Sequence, residues 1–285
     1  MKTLLIIFSI LLMPFISHTQ NLELQAYSGY SFERKAQHGN SPEAFFPMIN
    51  TTWVNHNVTE EPVNYSLAKG IPIGVSLMYQ INNYLSTGLS VNYIFSDTYS
   101  AEFKSNMAYS DYTKLTLKGR YFDISPKVEI RYPFNNKWSI FTNLGLNIAF
   151  AKVIYSYHED IGDYPDETVR NITNWDLILH GGTSLGYSIS MGSKFQLTKH
   201  LGIMASLSFT DIKYTPKEAE YTSFSYNGND YLDSLTVRQR YFQFMDTPNE
   251  NTSSNEPRQL KKYTFPFHNW GINVGFIYLI NVNKE

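Results

Sequence analysis

Asp123, Lys127, Glu129 and Arg131 fall on one parity of a single segment, so in an extended chain they share a face. Carboxylates and cations set that close do one of two things. In a narrow, dry space they neutralise one another as an ionic plug; in a wet one they pass an ion or a proton along. The plug is the expected arrangement, with His180 as a hydrogen-bonded member of the same polar lining. His180 and Ser184 would offer a base and a nucleophile, but four residues of strand separate them by about 13 Å. Two positions along from His180 stands Gly182, so the close same-face pair is missing. No catalytic residues are expected, and the chain reads as no enzyme. The acidic run His158, Glu159, Asp160, Asp163, Asp166 and Glu167 lacks the alternating Asp/Asn ligands and glycine of a calcium loop. It is read as a solvated loop, with neither metal nor cofactor. Trp53, Tyr226, Tyr231, Tyr241 and Phe242 stand in long polar segments. Aromatics placed there either meet a ligand or protein, or pack on each other as a cap.

The elements that carry these residues are β-strands, written as apolar/polar alternation with a period of two. The last shows it best: Trp270, Ile272, Val274, Phe276, Tyr278, Ile280 and Val282 share one face, opposite Gly271, Asn273, Gly275 and Asn281. Seven more stretches follow the same rule, near 22–33, 71–81, 85–95, 122–132, 138–150, 177–189 and 201–209. Very short polar turns at Asn82-Asn83, Pro133–Lys137 and Thr198–His200 join them in pairs, and long segments near 34–69, 97–117, 152–175 and 211–264 separate the pairs. The apolar faces carry no Asp, Glu, Lys or Arg, and the opposite faces are rich in Ser, Asn, Gly and Gln. A soluble sandwich would place many charges on one face; these strands have the pattern of a membrane barrel, greasy outward and polar inward. Pro126 inside the fourth strand demands a bulge or a local break, because a closed barrel has no edge to hide a missing N–H. Tyr221–Tyr226, Asn227-Gly228 and Thr236–Phe244 form a further hairpin candidate, expected to stand above the membrane; within the wall it would make ten strands rather than eight.

Met1 and Lys2 precede an apolar run from Leu4 to Ile16, followed by Ser17 and Thr19. This reads as a signal peptide spanning 1–19, too short to cross a bilayer as a helix, with the mature domain from 20 to 285. With no cysteine, disulfides and thiolate metal sites are excluded. Net charge is −2, from 23 basic and 25 acidic residues, which gives no field to attract nucleic acid.

The leader, the alternating strands, the turns Tyr79-Gln80-Ile81-Asn82-Asn83-Tyr84 and Gln196-Leu197-Thr198-Lys199-His200-Leu201, and the segment Tyr121-Phe122-Asp123-Ile124-Ser125-Pro126 together resemble the small outer-membrane β-barrel domain family. The resemblance implies an all-β, antiparallel transmembrane barrel of eight strands in the outer membrane of a Gram-negative bacterium. It implies as partners outer-membrane lipid and lipopolysaccharide, the barrel assembly machinery and an envelope protein. A structural or surface-binding role through the extracellular loops is expected, against the alternatives of a narrow transport pore, a lipid-modifying barrel enzyme or an accessory subunit of an envelope complex. One departure stands out: Asn283, Lys284 and Glu285 follow the last strand, where such barrels often end on an aromatic.

Overall fold

The computed structural model describes residues 21–34, 46–54, 57–106, 110–162, 170–249 and 253–281. The expected leader, Asp163, Asp166, Glu167 and the tail from Val282 lie outside the described residues. Eight strands close into a ring: β1 (Asn21–Glu33), β2 (Gly70–Gln80), β3 (Leu85–Asn106), β4 (Ser110–Pro133), β5 (Trp138–Gly162), β6 (Ser184–Gln196), β7 (Leu201–Tyr214) and β8 (Phe265–Asn281). Each pairs antiparallel with its neighbour, and closure is complete along β1, from Asn21 opposite Asn281 to Glu33 opposite Asn269. Barrel closure removes the edges that would otherwise leave backbone groups unpaired in lipid.

The three short turns share one construction. Ile81, Phe134 and Leu197 each donate an N–H to the carbonyl four residues on, at Leu85, Trp138 and Leu201. The next side chain, Asn82, Asn135 or Thr198, accepts two backbone N–H groups inside the turn. Asn and Thr are there because their short side chains can replace a missing backbone partner.

Leu24, Ile73, Val75, Leu89, Leu144, Leu146, Leu207, Val274 and their neighbours make an exposed aliphatic belt. Aromatics border it on both sides: Phe32, Phe95, Phe122, Phe150, Phe209 and Trp270 towards the long segments, Tyr84, Tyr132, Phe134, Trp138 and Tyr278 towards the turns. From Phe122 to Tyr132 the strand runs about 34 Å, which at a tilt of about 40° is about 25 Å of height, the thickness of an outer-membrane apolar band.

Beyond the upper girdle the strands do not end. Segments 97–117 and 152–175, expected as loops, are largely strand, because β3, β4 and β5 continue outward to Asn106, from Ser110 and to Gly162. Parity is kept on β4 and β5 but its chemistry inverts. On β4, Phe122, Ile124, Val128 and Ile130 face out below the inversion; above it Arg120, Lys118, Thr116 and Lys114 do so, while Leu117 and Leu115 turn inward and are buried. On β3 a bulge between Phe95 and Thr98 resets the phase, so that Tyr99 and Ala101 also point in.

The sixth expected strand, 177–189, is two. Arg170–His180 pairs with the outer part of β5, whereas β6 pairs with its lower part. Between them Gly181 and Gly182 take φ of 76° and 83°, a left-handed conformation that glycine reaches without strain. The break moves Leu177 and Leu179 into the outer core while Leu185, Tyr187 and Ile189 face outward. Arg170–His180 is extended by Glu218–Tyr226, Tyr241–Met245 and Arg258–Lys261, and the hairpin Ile49–Val54/Asn57–Pro62 flanks β3 on the other side. The Asn227-Gly228 turn, with both φ positive, returns Tyr226 to Asn229. None of these strands enters the ring. Pro126 causes no bulge: pairing with β5 lapses at Ser125 and Pro126, and the register resumes unchanged at Lys127 opposite Gly145.

Candidate functional site

The bore holds three layers. Nearest the turns, Glu23 from β1, Glu129 and Arg131 from β4 and Lys194 from β6 converge, although β6 is two strands from β4. Lys194 Nζ donates to Glu23 at 2.5 Å and to both oxygens of Glu129 at 2.6 and 2.8 Å. Arg131 donates to Glu23 at 2.5 Å and to Glu129 at 2.7 Å, and Gln25 donates to Glu23 at 2.7 Å. Two carboxylates meet two cations, and Glu129 is 0% exposed. Phe141, 4.9 Å from Lys194 Nζ, packs with Met204 and Ile277 beside the cluster. Buried charges survive only when paired and hydrogen-bonded in this way.

Above the plug lies a polar chamber of about 70 Å³. Asp123 accepts from Asn92 at 2.9 Å and Asn147 at 3.0 Å. Lys127 donates to the Tyr27 hydroxyl at 3.2 Å, which in turn donates to Asn92 at 2.5 Å. A Cβ on Gly74 would stand 2.4 Å from the Tyr27 ring, so only glycine leaves room for that tyrosine to cross the bore. Asp123 Oδ2, Asn143 Oδ1 and Asn147 Oδ1 have no protein partner; a chamber of this size and polarity accommodates water to satisfy them.

The third layer is apolar. Ile94 and Tyr121 begin it at the chamber's roof, and Ile212, Phe267, Leu117, Val153, Tyr155, Leu177, Leu179, Tyr214, Ala219, Phe242, Phe244, Phe265, Tyr65 and Met48 continue it outward under the outer sheet. The barrel is therefore closed by salt bridges at one end and by a folded core at the other.

Asp123, Lys127, Glu129 and Arg131 all face the bore, and of these only Glu129 and Arg131 join the plug. His180 does not. It ends the strand Arg170–His180, outside the ring, with Nε2 3.7 Å from Glu220, because the Gly181-Gly182 break separates it from the wall. Sequence reasoning missed Glu23 and Lys194; both sit on the inward parity within a few residues of the turn-side end of their strands, as do Glu129 and Arg131, and that shared height is the readable signal.

The aromatic set divides. Phe242 is buried in the outer core at 8% exposure, its ring edge-on to Tyr221. Tyr241 is half-buried beneath Arg240. Trp53, half-buried, lies in the flanking hairpin, with β3, β4, β5 and Arg170–His180 between it and the strand carrying Tyr226. Only Tyr226 and Tyr231 are both exposed and close in the chain, on the same hairpin; the Tyr226 hydroxyl donates to Asn171 at 2.6 Å. In the acidic run, Arg170 pairs with Asp160 at 2.7 Å and holds its carboxyl below the ordinary carboxylate range, while Glu159 accepts from Tyr157 at 2.8 Å.

Residues 47–238 match the family described as outer membrane protein beta-barrel domain. Among solved structures, Ail, the attachment invasion locus protein of Yersinia pestis, aligns over 92% of this chain and 100% of its own, at 9% identity and a TM-score of 0.29. The same protein in complex with the heparin analogue sucrose octasulfate gives 8% identity and a TM-score of 0.28 over the same shares. The P. putida toluene transporter TodX aligns over 95% of this chain and 92% of its own, at 7% identity and a TM-score of 0.17. No curated protein matches the sequence significantly.

Proposed function

From the premise that this chain belongs to the outer membrane protein beta-barrel domain family, we propose that it is a closed barrel of the Gram-negative outer membrane whose work is done by the folded sheet above the membrane. The role is structural or surface-binding. Export through a cleaved leader at 1–19 and assembly by the barrel machinery accompany that reading, and Tyr226 and Tyr231 are the aromatics best placed to meet a partner in the envelope or outside it.

One observation carries the proposal: the bore is filled at both levels that a solute would cross, by the Glu23–Glu129–Arg131–Lys194 cluster and by the outer core. A transport pore needs a continuous wet path, and a barrel of eight strands is just wide enough for its own side chains. A lipid-modifying enzyme needs a nucleophile and base within hydrogen-bond reach, whereas His180 stands outside the ring and Ser184 at the start of β6. Planar-bilayer recording of the refolded protein tests the proposal. A silent membrane, with folding verified by heat-modifiable migration, is expected; discrete single-channel steps at neutral pH would overturn it.

A further inference from the structure

Where the outward face changes from apolar to polar, β4 and β5 set two cations against each other. Arg120 stands directly opposite Lys152 in the ladder, and Lys118 is the next outward residue on β4. Like charges directly across a strand pair are destabilising. Three basic residues of the neighbouring outer strands have acids: Lys104 and Lys114 meet Glu102, and Arg170 meets Asp160. Arg120, Lys152 and Lys118 have no acidic partner among the described residues. Their height is equally specific. The pair immediately below is Phe122 opposite Phe150, rings 6.4 Å apart in the upper girdle, and on its other side Arg120 is paired with Phe95 of the same girdle. The next outward residue pair lies about 7 Å further along the strands, about 5 Å of height at the same tilt of about 40°, where headgroups begin above the hydrocarbon.

We propose that Arg120 and Lys152, with Lys118 behind them, clamp a phosphate of an outer-leaflet lipid headgroup. The phosphate supplies the negative charge that the ladder lacks, the guanidinium can grip two of its oxygens, and the acyl chains descend over Phe122 and Phe150 into the apolar belt. This rests on the membrane reading above and gives that reading a lipid-specific contact.

Native mass spectrometry of the detergent-purified, full-length folded protein tests it, with bisphosphorylated lipid A and its dephosphorylated form as probes. Wild type is expected to retain the phosphorylated lipid in preference. The double variant Arg120→Gln/Lys152→Gln is expected to lose about thirtyfold in retention, and Lys104→Gln, whose lysine is already paired, is expected to retain like wild type. The single variant Arg120→Gln provides a second reading, intermediate in retention, should the double variant fail to migrate as a folded barrel. Equal retention of the two lipids, or a folded variant that binds like wild type, would overturn the proposal. Displacement of lipid A by millimolar inorganic phosphate would overturn the lipid as the phosphate's source. A chain that stays monomeric without detergent would instead sink the membrane reading itself.

Discussion

Lys194 Nζ donates to both carboxylate oxygens of Glu129, at 2.6 and 2.8 Å, across the bore from β6 to β4. The contact ties two wall strands that share no ladder. Lys194→Met would leave Glu129 and Glu23 buried with Arg131 as their one cation, and breaking a buried pair from one side costs about 3 to 5 kcal/mol. Urea unfolding in lipid vesicles should show a loss of that size. A change below about 1 kcal/mol would mean that the charges are hydrated rather than packed.

Leu146 is 67% exposed in the middle of the apolar belt. Exposure of that extent is tolerable only in lipid, so Leu146→Arg is expected to cost about 2 to 4 kcal/mol in the same vesicle assay. On a water-facing surface the substitution would be nearly neutral.

Gly182, with φ of 83°, would place a Cβ 2.8 Å from the Thr215 carbonyl oxygen. Gly182→Ala therefore strains the crossover by about 1 to 2 kcal/mol from backbone conformation alone. Limited proteolysis on the external side should cut the outer sheet sooner, while heat-modifiable migration of the barrel stays unchanged. Equal protection of both forms would show that the outer sheet does not depend on this switch.

Burial, reinforced by Glu159, pushes the Tyr157 phenol up to about 12, and burial raises Tyr65 further still. Both hold their protons more tightly folded than unfolded, so their contribution is full below the ordinary phenol pKa near 10 and is lost as pH rises through the folded value. The outer sheet should loosen above about pH 11. Ultraviolet titration of tyrosinate, followed together with near-ultraviolet circular dichroism, checks this; tyrosines that all titrate near 10 with no change in dichroism would contradict it.

The ring of eight strands, the turns and the inward charges on β4 were legible because each rests on a local rule: period two, an Asn or Thr in the turn, one parity for polar residues. The outer sheet was not, and the reason lies at Arg120 and Lys152. Sequence reading follows the apolar parity, and on β4 and β5 that parity changes sides where lipid gives way to water. Leu115 and Leu117 are as regularly placed as Ile124 and Val128, but face the opposite way. A search for the inversion itself would have carried β4 out to Lys114. The Gly181-Gly182 break was hidden for the converse reason: Leu177, Leu179, Leu185, Tyr187 and Ile189 share one parity, and only the crossover gives them different surroundings. Glu23 and Lys194 are brought to Glu129 by ring closure, a contact between positions far apart in the chain that alternation alone does not specify.

Single cysteines offer the most direct test that lipid wets the belt, since the natural chain has none. Leu146→Cys and Val274→Cys, each carrying an environment-sensitive fluorophore and reconstituted in vesicles, should be strongly quenched by brominated acyl chains and untouched by aqueous iodide, whereas a label at the solvent-facing Lys104→Cys should show the reverse. Iodide quenching at Leu146 and Val274 equal to that at Lys104, with no effect of brominated lipid, would contradict the account.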